Sequence, residues 1–286
     1  MNKPIEKMES KKGKIFRRND DKPKVNPQVQ LNTISKFYLE TANEKYSEYE
    51  MEAKFGTRGI KPITKIDYDN VVKKLKSLGY VSENEKGTSI LKIQPEFLDT
   101  YTGEFKTSGN FDKFRVEITG ITNIQDYCRT DNLQTINNLS PNNINILRKL
   151  DVKQPNNKEE NMASADFNDF NFRVTIKNEN KIYKNSKIGL DVFDKWNNSK
   201  KIFRYMNRVS FTSPKPEYPF RIDLSIVKAY TKNDKGIMMQ TYNIDESNVF
   251  KNQEFFEIEV EVLPTAKNIF KTNIELDTEK TKSTIN

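Results

Sequence analysis

Two runs of glutamate at strand spacing are the residues most able to do chemistry. In EYEMEAKF, Glu48, Glu50, Glu52 and Lys54 alternate with Tyr49, Met51, Ala53 and Phe55. Near the C-terminus Glu257, Glu259 and Glu261 alternate with Phe256, Ile258, Val260 and Val262. Successive side chains of a strand point to opposite faces, so each run puts a row of carboxylates on one face, roughly 7 Å apart. At that distance two unit charges repel by about 0.6 kcal/mol in water and about 2.4 kcal/mol at an effective dielectric of 20. Exposed rows tolerate this; enclosed rows need cations. The cations are either Lys and Arg from facing strands or a divalent metal, and hard carboxylate oxygens suit Mg²⁺ or Mn²⁺. Either run alone reads simply as a solvated sheet face, but the other strands also carry charge in register: Lys113, Arg115 and Glu117; Arg173, Thr175 and Lys177; Arg204 and Arg208; Arg221, Asp223 and Ser225. Their alternate faces are apolar. A sheet closed on itself, charged inside and clad by helices outside, accounts for this inversion and also removes exposed strand edges. Such an interior would hold a metal against a polyanion.

Composition narrows the chemistry further. The chain has 286 residues, 48 Lys and Arg, 40 Asp and Glu, no His and one Cys. No imidazole is present to serve as an acid, base or metal ligand, and Cys128 alone forms neither an intramolecular disulfide nor a cysteine zinc site. Low cysteine usage fits a reducing, intracellular compartment. No 18-residue apolar stretch suggests a membrane span, and the N-terminus lacks the apolar segment of a secretory signal. Hydrophobic residues make up 35% of the chain and charged residues 31%, as expected of strands polar on one face. The net charge of +8 favours phosphate-bearing partners. Shared richness in Lys, Asn and Ile is a simpler source of the same charge.

Periodicity places these residues on elements. A basic, disordered tail is expected over 1–27, one barrel domain over 28–275, and a polar tail or linker over 276–286. Helices are expected over 28–46 and over 68–78, the second capped by Asp67 and closed by Gly79, then over 121–130 and near 142–150. A further helical stretch is expected within the last 20 residues. Strands are expected over 48–55, 89–94, 96–101, 112–119, 170–177, 202–211, 219–228 and 254–263, with a polar, Asn-rich loop over 153–169. Gly56 and Gly59 end the first strand, and Pro214, Pro216 and Pro219 mark the turn between two later ones. Trp196 and the Phe and Tyr residues read as core or barrel cladding, and Cys128 as a small buried hydrophobe.

EYEMEAKFG (48–56), FRVEITGI (114–121), NFRVTIKNE (171–179), RYMNRVSF (204–211), FRIDLSIVK (220–228) and FEIEVEVL (256–263) together resemble, in order, the metal-dependent RNA 5′-triphosphatases of mRNA capping, members of the triphosphate tunnel metalloenzymes. The branch found in large DNA viruses looks nearest. The resemblance implies an all-β dominated α+β fold: a closed antiparallel tunnel barrel of eight strands. It also implies hydrolysis of the γ-phosphate from the 5′-triphosphate end of nascent RNA, with Mg²⁺ or Mn²⁺. By match to the family, Glu50, Glu52, Glu257, Glu259 and Glu261 are the metal-site acids. Arg115, Arg173, Lys177, Arg208 and Arg221 match positions that hold phosphates or brace the acids. Lys54, Arg204 and Lys228 join the phosphate-binding set, with Asp223 and Ser225 as the polar pair of the RIDL(S/T) motif. Glu179 falls where the family has an acid that orients water. One position departs: the family often has Lys two residues before the Arg matching Arg208, where this chain has Met206. Methionine contributes no charge toward phosphate, and Arg204 on the same face is the available substitute.

The partners so implied are triphosphate-ended RNA and, in the same chain or complex, guanylyltransferase and methyltransferase domains, with no membrane and no DNA sequence specificity. The location implied is intracellular, in host cytoplasm or virion. Two other readings stay open: a tunnel hydrolase of free nucleotide triphosphate, thiamine triphosphate or tripolyphosphate, or a non-catalytic RNA-binding subunit. Met206 is the one feature that favours the latter, and the retained row of Glu argues against it.

Overall fold

The structure is a computed structural model that describes residues 26–43, 49–56, 61–98, 105–106, 113–152, 163–215, 219–234, 236 and 238–263. The expected N- and C-terminal tails and the C-terminal helical stretch lie outside the described residues. Among the described residues eleven strands form in chain order: β1 (Tyr49–Phe55), β2 (Thr88–Pro95), β3 (Phe97–Leu98), β4 (Phe105–Lys106), β5 (Lys113–Thr119), β6 (Ile144–Asp151), β7 (Ser164–Phe167), β8 (Phe172–Ile182), β9 (Lys201–Thr212), β10 (Phe220–Ala229) and β11 (Glu254–Val262). The helices are α1 (Pro27–Asn43), α2 (Lys65–Ser77), α3 (Ile121–Thr130), α4 (Leu133–Leu139), α5 (Lys187–Lys195) and α6 (Ile244–Ser247).

Strands β1, β11, β10, β9, β2, β5, β6 and β8 pair in that order, and β8 pairs back with β1. The result is a closed antiparallel barrel of eight strands, with β7 added along the first residues of β8. β3 and β4 make a separate two-stranded pair.

The apolar cores lie outside the barrel. Leu91, Ile93, Val116, Ile118, Ile144, Ile146 and Phe203 are the outward residues of β2, β5, β6 and β9, and α3, α4 and α5 cover them with Ile124, Tyr127, Leu133, Ile136 and Val192. Burial of each such side chain is worth about 1.5–3 kcal/mol, so the cladding helices are what stabilise these strands. Trp196 packs in the same core and donates its indole N–H to the Tyr127 hydroxyl at 3.2 Å, in agreement with its reading as cladding. Cys128 packs at the edge of this core, and burial pushes its thiol up. α1 lays Ile34, Phe37 and Tyr38 on β7 and β8. α2 lays Tyr68 and Leu75 on Phe211, Leu224 and Ile258.

Local signals explain the boundaries. α2 starts three residues earlier than expected because Thr64 is the cap and Asp67 closes a capping box with it; Gly79, at φ +80°, follows the helix end. Gly56 ends β1 at φ +72°, where a Cβ would meet Ile63 Cγ1 at 2.8 Å.

Three expectations are corrected. The segment 142–150 is not a helix but strand β6, preceded by a turn of 3-10 helix at Pro141–Asn143. Ile144 and Ile146 are buried outward and Asn145 alternates with them, while Leu147 and Leu150 mimic helical spacing. Without this strand the barrel could not close between β5 and β8. The expected loop over 153–169 contains β7. The strand expected over 170–177 runs on to Ile182, because its second half pairs with β6. Of the strand expected over 96–101, β3 forms, and the rest lies outside the described residues.

Candidate active site

Closure turns the charged faces inward. In register, Glu52 faces Glu261 and Lys54 faces Glu259 across β1 and β11. Glu257, Glu259 and Glu261 face Ser225, Asp223 and Arg221 across β11 and β10. The interior holds a cavity of about 420 Å³.

One wall is built around Arg208. Its guanidinium donates to Asp223 at 2.9 Å, to Glu259 at 2.7 Å and to the Ser225 hydroxyl at 3.1 Å. Asp223, 2% exposed, also accepts from Ser210 at 2.6 Å and Arg221 at 3.2 Å. Lys54 bridges Glu259 at 2.7 Å and Glu257 at 3.0 Å, Arg204 pairs with Glu257, and Arg221 pairs with Glu261. The facing wall is a second chain of ion pairs. Lys92 meets Glu117 at 3.2 Å and Arg115 meets Glu117 at 2.8 Å. Arg115 reaches Glu179 at 3.2 Å, and Lys149 joins Glu179 at 2.7 Å to Glu50 at 3.2 Å.

The charges respond unequally to enclosure. Burial disfavours the Glu259 carboxylate, but Lys54 and Arg208 outweigh it and hold the group at about 2. Burial likewise opposes the Lys54 ammonium, and Glu259 and Glu257 reverse the effect, so its pKa is raised. Lys92 falls to about 8: burial dominates, Glu117 only partly compensates, and Arg115, Arg208 and Arg204 push the same way as burial. Glu261 is pushed up to about 7 by burial, against the pull of Arg221 and with Glu50, Asp223 and Glu52 adding to it. Glu50 is raised as well, by burial and by Glu179 and Glu52, against Lys149.

Of the residues singled out in the sequence, Glu50, Glu52, Lys54, Arg115, Glu179, Arg204, Arg208, Arg221, Glu259 and Glu261 line the cavity. Glu257, Asp223 and Ser225 are buried behind that lining and hold its cations. Arg173 is drawn aside to Asp166 at 3.4 Å and Ser164 at 2.9 Å. Lys177 sits opposite Glu50 in the β1–β8 register but does not line the cavity. Lys228 is not brought to the site. It falls on the face of β10 shared with Leu224 and Ile226, which pack under α2, and donates to the Phe250 carbonyl at 2.9 Å. Met206 is buried in the lining between Arg204 and Arg208.

Lys92, Glu117 and Lys149 line the cavity and were not among the expected site residues. Alternation in SILKIQ marks Lys92 as the lone charge opposite an apolar face. Glu117 shares the inward face with Arg115. Lys149 lay hidden in the segment read as a helix.

The donor chemistry fits a hard divalent cation at one place. Glu52 and Glu261 are direct cross-strand neighbours of like charge, an arrangement that destabilises a sheet. Glu52 accepts a hydrogen bond from Thr175 at 3.3 Å and has no ion pair among the described residues. With Glu50 beside them and Glu261 raised to about 7, this is where negative charge is left over. Among the described residues no three acidic side chains converge as a ready-made metal cluster, so a cation would have to draw these three together. Glu257 and Glu259, by contrast, are already neutralised by Lys54, Arg204 and Arg208.

No protein-family model matches the chain. A search of curated proteins finds no significant match. Solved structures do match. The RNA triphosphatase domain of a trifunctional mimivirus mRNA capping enzyme aligns at a TM-score of 0.50 and 16% identity, over 84% of this chain and 90% of that one. A triclinic structure of the mimivirus capping enzyme triphosphatase aligns at 0.50 and 14% identity, over 86% and 96%. The eight-stranded antiparallel tunnel barrel is therefore the fold this chain shares with the mimivirus triphosphatase domain.

Proposed function

We propose that this protein is an RNA triphosphatase of mRNA capping: a hydrolase that removes the γ-phosphate from the 5′-triphosphate end of RNA with the help of a divalent metal. The observation that carries the reading is the enclosure of acids and bases on facing walls of one tunnel. Seven Lys and Arg and six Glu line the cavity, so the interior is close to neutral. It cannot attract a triphosphate by net charge alone. A cation taken up by Glu50, Glu52 and Glu261 would leave the bases in excess, and a polyanion could then replace the carboxylates as their partner. The likeness in fold to the mimivirus domain supports the same substrate class, with Mg²⁺ or Mn²⁺ as the metal.

The metal, when bound, supplies charge neutralisation on a phosphoryl oxygen as a Lewis acid. The chain's own residues do the rest. Arg208 is pre-aimed by Asp223, Ser225 and Glu259 and offers a planar fork to non-bridging oxygens. Lys54, Arg115 and Lys149 approach the phosphates, Arg115 by releasing Glu117 and Lys149 by releasing Glu50, while both keep Glu179. Glu179, held by Arg115 and Lys149, orients the attacking water and accepts its proton. Such a transfer asks mainly for positioning and charge stabilisation, which a closed barrel provides.

The same reading places the protein inside cells, in host cytoplasm or a virion, working beside guanylyl- and methyltransferase activities in one chain or complex. No helix among the described residues is long and apolar enough to cross a membrane. Contacts to phosphate carry no sequence information, so no preference for RNA or DNA sequence follows from them.

The test is phosphate release from triphosphate-ended RNA, ATP and inorganic tripolyphosphate, each with Mg²⁺, Mn²⁺ or EDTA. RNA turned over best, and only with metal, is the expected outcome. Faster turnover of tripolyphosphate would point to the free-polyphosphate hydrolase, and phosphate binding without turnover to the RNA-binding subunit.

A further inference from the structure

The charged lining thins toward one mouth of the tunnel, where apolar side chains join Arg204. β2, β9 and β10 are adjacent and antiparallel, so the end of β2, the start of β9 and the end of β10 lie together. There Ile202, Tyr230 and Met238 line the cavity beside Gln94, and Met206 lies further in along β9, beyond Arg204. Arg221 and Glu261 sit at the far ends of β10 and β11, so the acidic cluster lies away from this mouth. Phosphate binding uses none of the four apolar residues. Met206 is 1% exposed, Tyr230 is half-buried and Met238 is 43% exposed, so the surface grades from the tunnel interior to solvent. Two lysines are close in the chain: Lys232 pairs with Met238 through a backbone bridge, and Lys200, two residues before Ile202, lies 5.6 Å over the Tyr242 ring.

We infer that this mouth is the subsite for the first nucleoside of a triphosphate-ended strand, with the base against Tyr230 and Met238 and the strand leaving past Lys200 and Lys232. The inference rests on the triphosphatase reading and gives the substrate a direction: γ-phosphate toward Glu52 and Glu261, nucleoside at the apolar mouth. A site for inorganic polyphosphate gains nothing from an aromatic ring and a thioether at one end. A nucleoside has an apolar π-face that stacks on both, whatever the base. Met206 then has a positive role, as the inner end of this surface in a row of arginines.

Binding separates the subsite from the chemistry. The affinity of a fluorescent 5′-triphosphate-ended oligoribonucleotide, and its displacement by inorganic tripolyphosphate, are measured for the wild type and for Tyr230→Ala, Met238→Ala and Tyr230→Phe. Tyr230→Ala and Met238→Ala should each weaken the oligonucleotide about tenfold, in the range of a lost base stack. Both should leave tripolyphosphate within twofold, and Tyr230→Phe should keep both affinities. Equal weakening of both ligands, or no weakening of the oligonucleotide, overturns the subsite. So does a wild type that prefers tripolyphosphate. Failure of the triphosphatase reading is a separate result: no metal-dependent phosphate release from any substrate by the wild type.

Discussion

Glu52 shows most directly how a side chain here serves function against stability. It faces Glu261 across two strands and has no ion pair among the described residues. Glu52→Gln keeps the hydrogen bond from Thr175 and removes the like charge. Urea denaturation in EDTA should find the variant more stable by about 1 kcal/mol, while metal-dependent phosphate release is lost. A variant that is both less stable and active would remove Glu52 from the metal site. Lys92 sets a pH dependence. Its folded pKa of about 8 lies below the ordinary 10.5, so between those values the unfolded chain holds the extra proton and stability rises with pH. Binding runs the other way, because a polyanion needs the ammonium. Tripolyphosphate affinity should fall as pH rises past about 8, and Lys92→Arg should flatten that fall; an unaltered profile in Lys92→Arg would assign it to another group. Asp223 holds Arg208 from a site 2% exposed. Asp223→Ala should cost about 1–3 kcal/mol in urea denaturation, since Arg208 keeps Glu259 and Ser225 but loses one buried charged partner.

Strand β6 is the element on which closure depends. Its outward Ile144 and Ile146 are fully buried under the helices, and its inward Lys149 joins Glu50 to Glu179. Ile146→Ala should therefore destabilise the protein by about 2–5 kcal/mol, and an effect under 1 kcal/mol would mean that this wall is not packed as described. The same strand marks the limit of what periodicity reveals. Strands with strict alternation over seven residues, such as YEMEAKF and the FEIEVEV of β11, are legible because charge and apolarity swap at every step. In INILRKLD, Leu147 points inward among charges and breaks the alternation, and Leu150 restores a helical spacing. Lys149 was missed for that reason. Lys228 was included because its position in FRIDLSIVK suggested it, yet its parity differs from that of Arg221, Asp223 and Ser225, so the pleat turns it outward. Arg173 has the right parity, but β7, unread within a polar loop, draws it aside with Asp166.

Over the whole molecule the barrel inverts the usual arrangement, with apolar cores outside and charge within. The inversion was legible because so many strands share it. Closure and strand order were not, since they depend on pairing between segments far apart in sequence. The near balance of bases and acids in the lining makes binding of phosphate and of metal a linked event. Each ligand should tighten the other by the same factor. The central claim, metal-dependent removal of the γ-phosphate, is tested most directly with RNA labelled at the γ-phosphate or at the α-phosphate. With Mg²⁺ or Mn²⁺ the γ-label should appear as inorganic phosphate while the α-label stays on RNA bearing a diphosphate end, and EDTA or Glu52→Gln should stop release. Release of the γ-label as pyrophosphate, loss of the α-label from the RNA, or γ-release that persists in EDTA, would contradict the account.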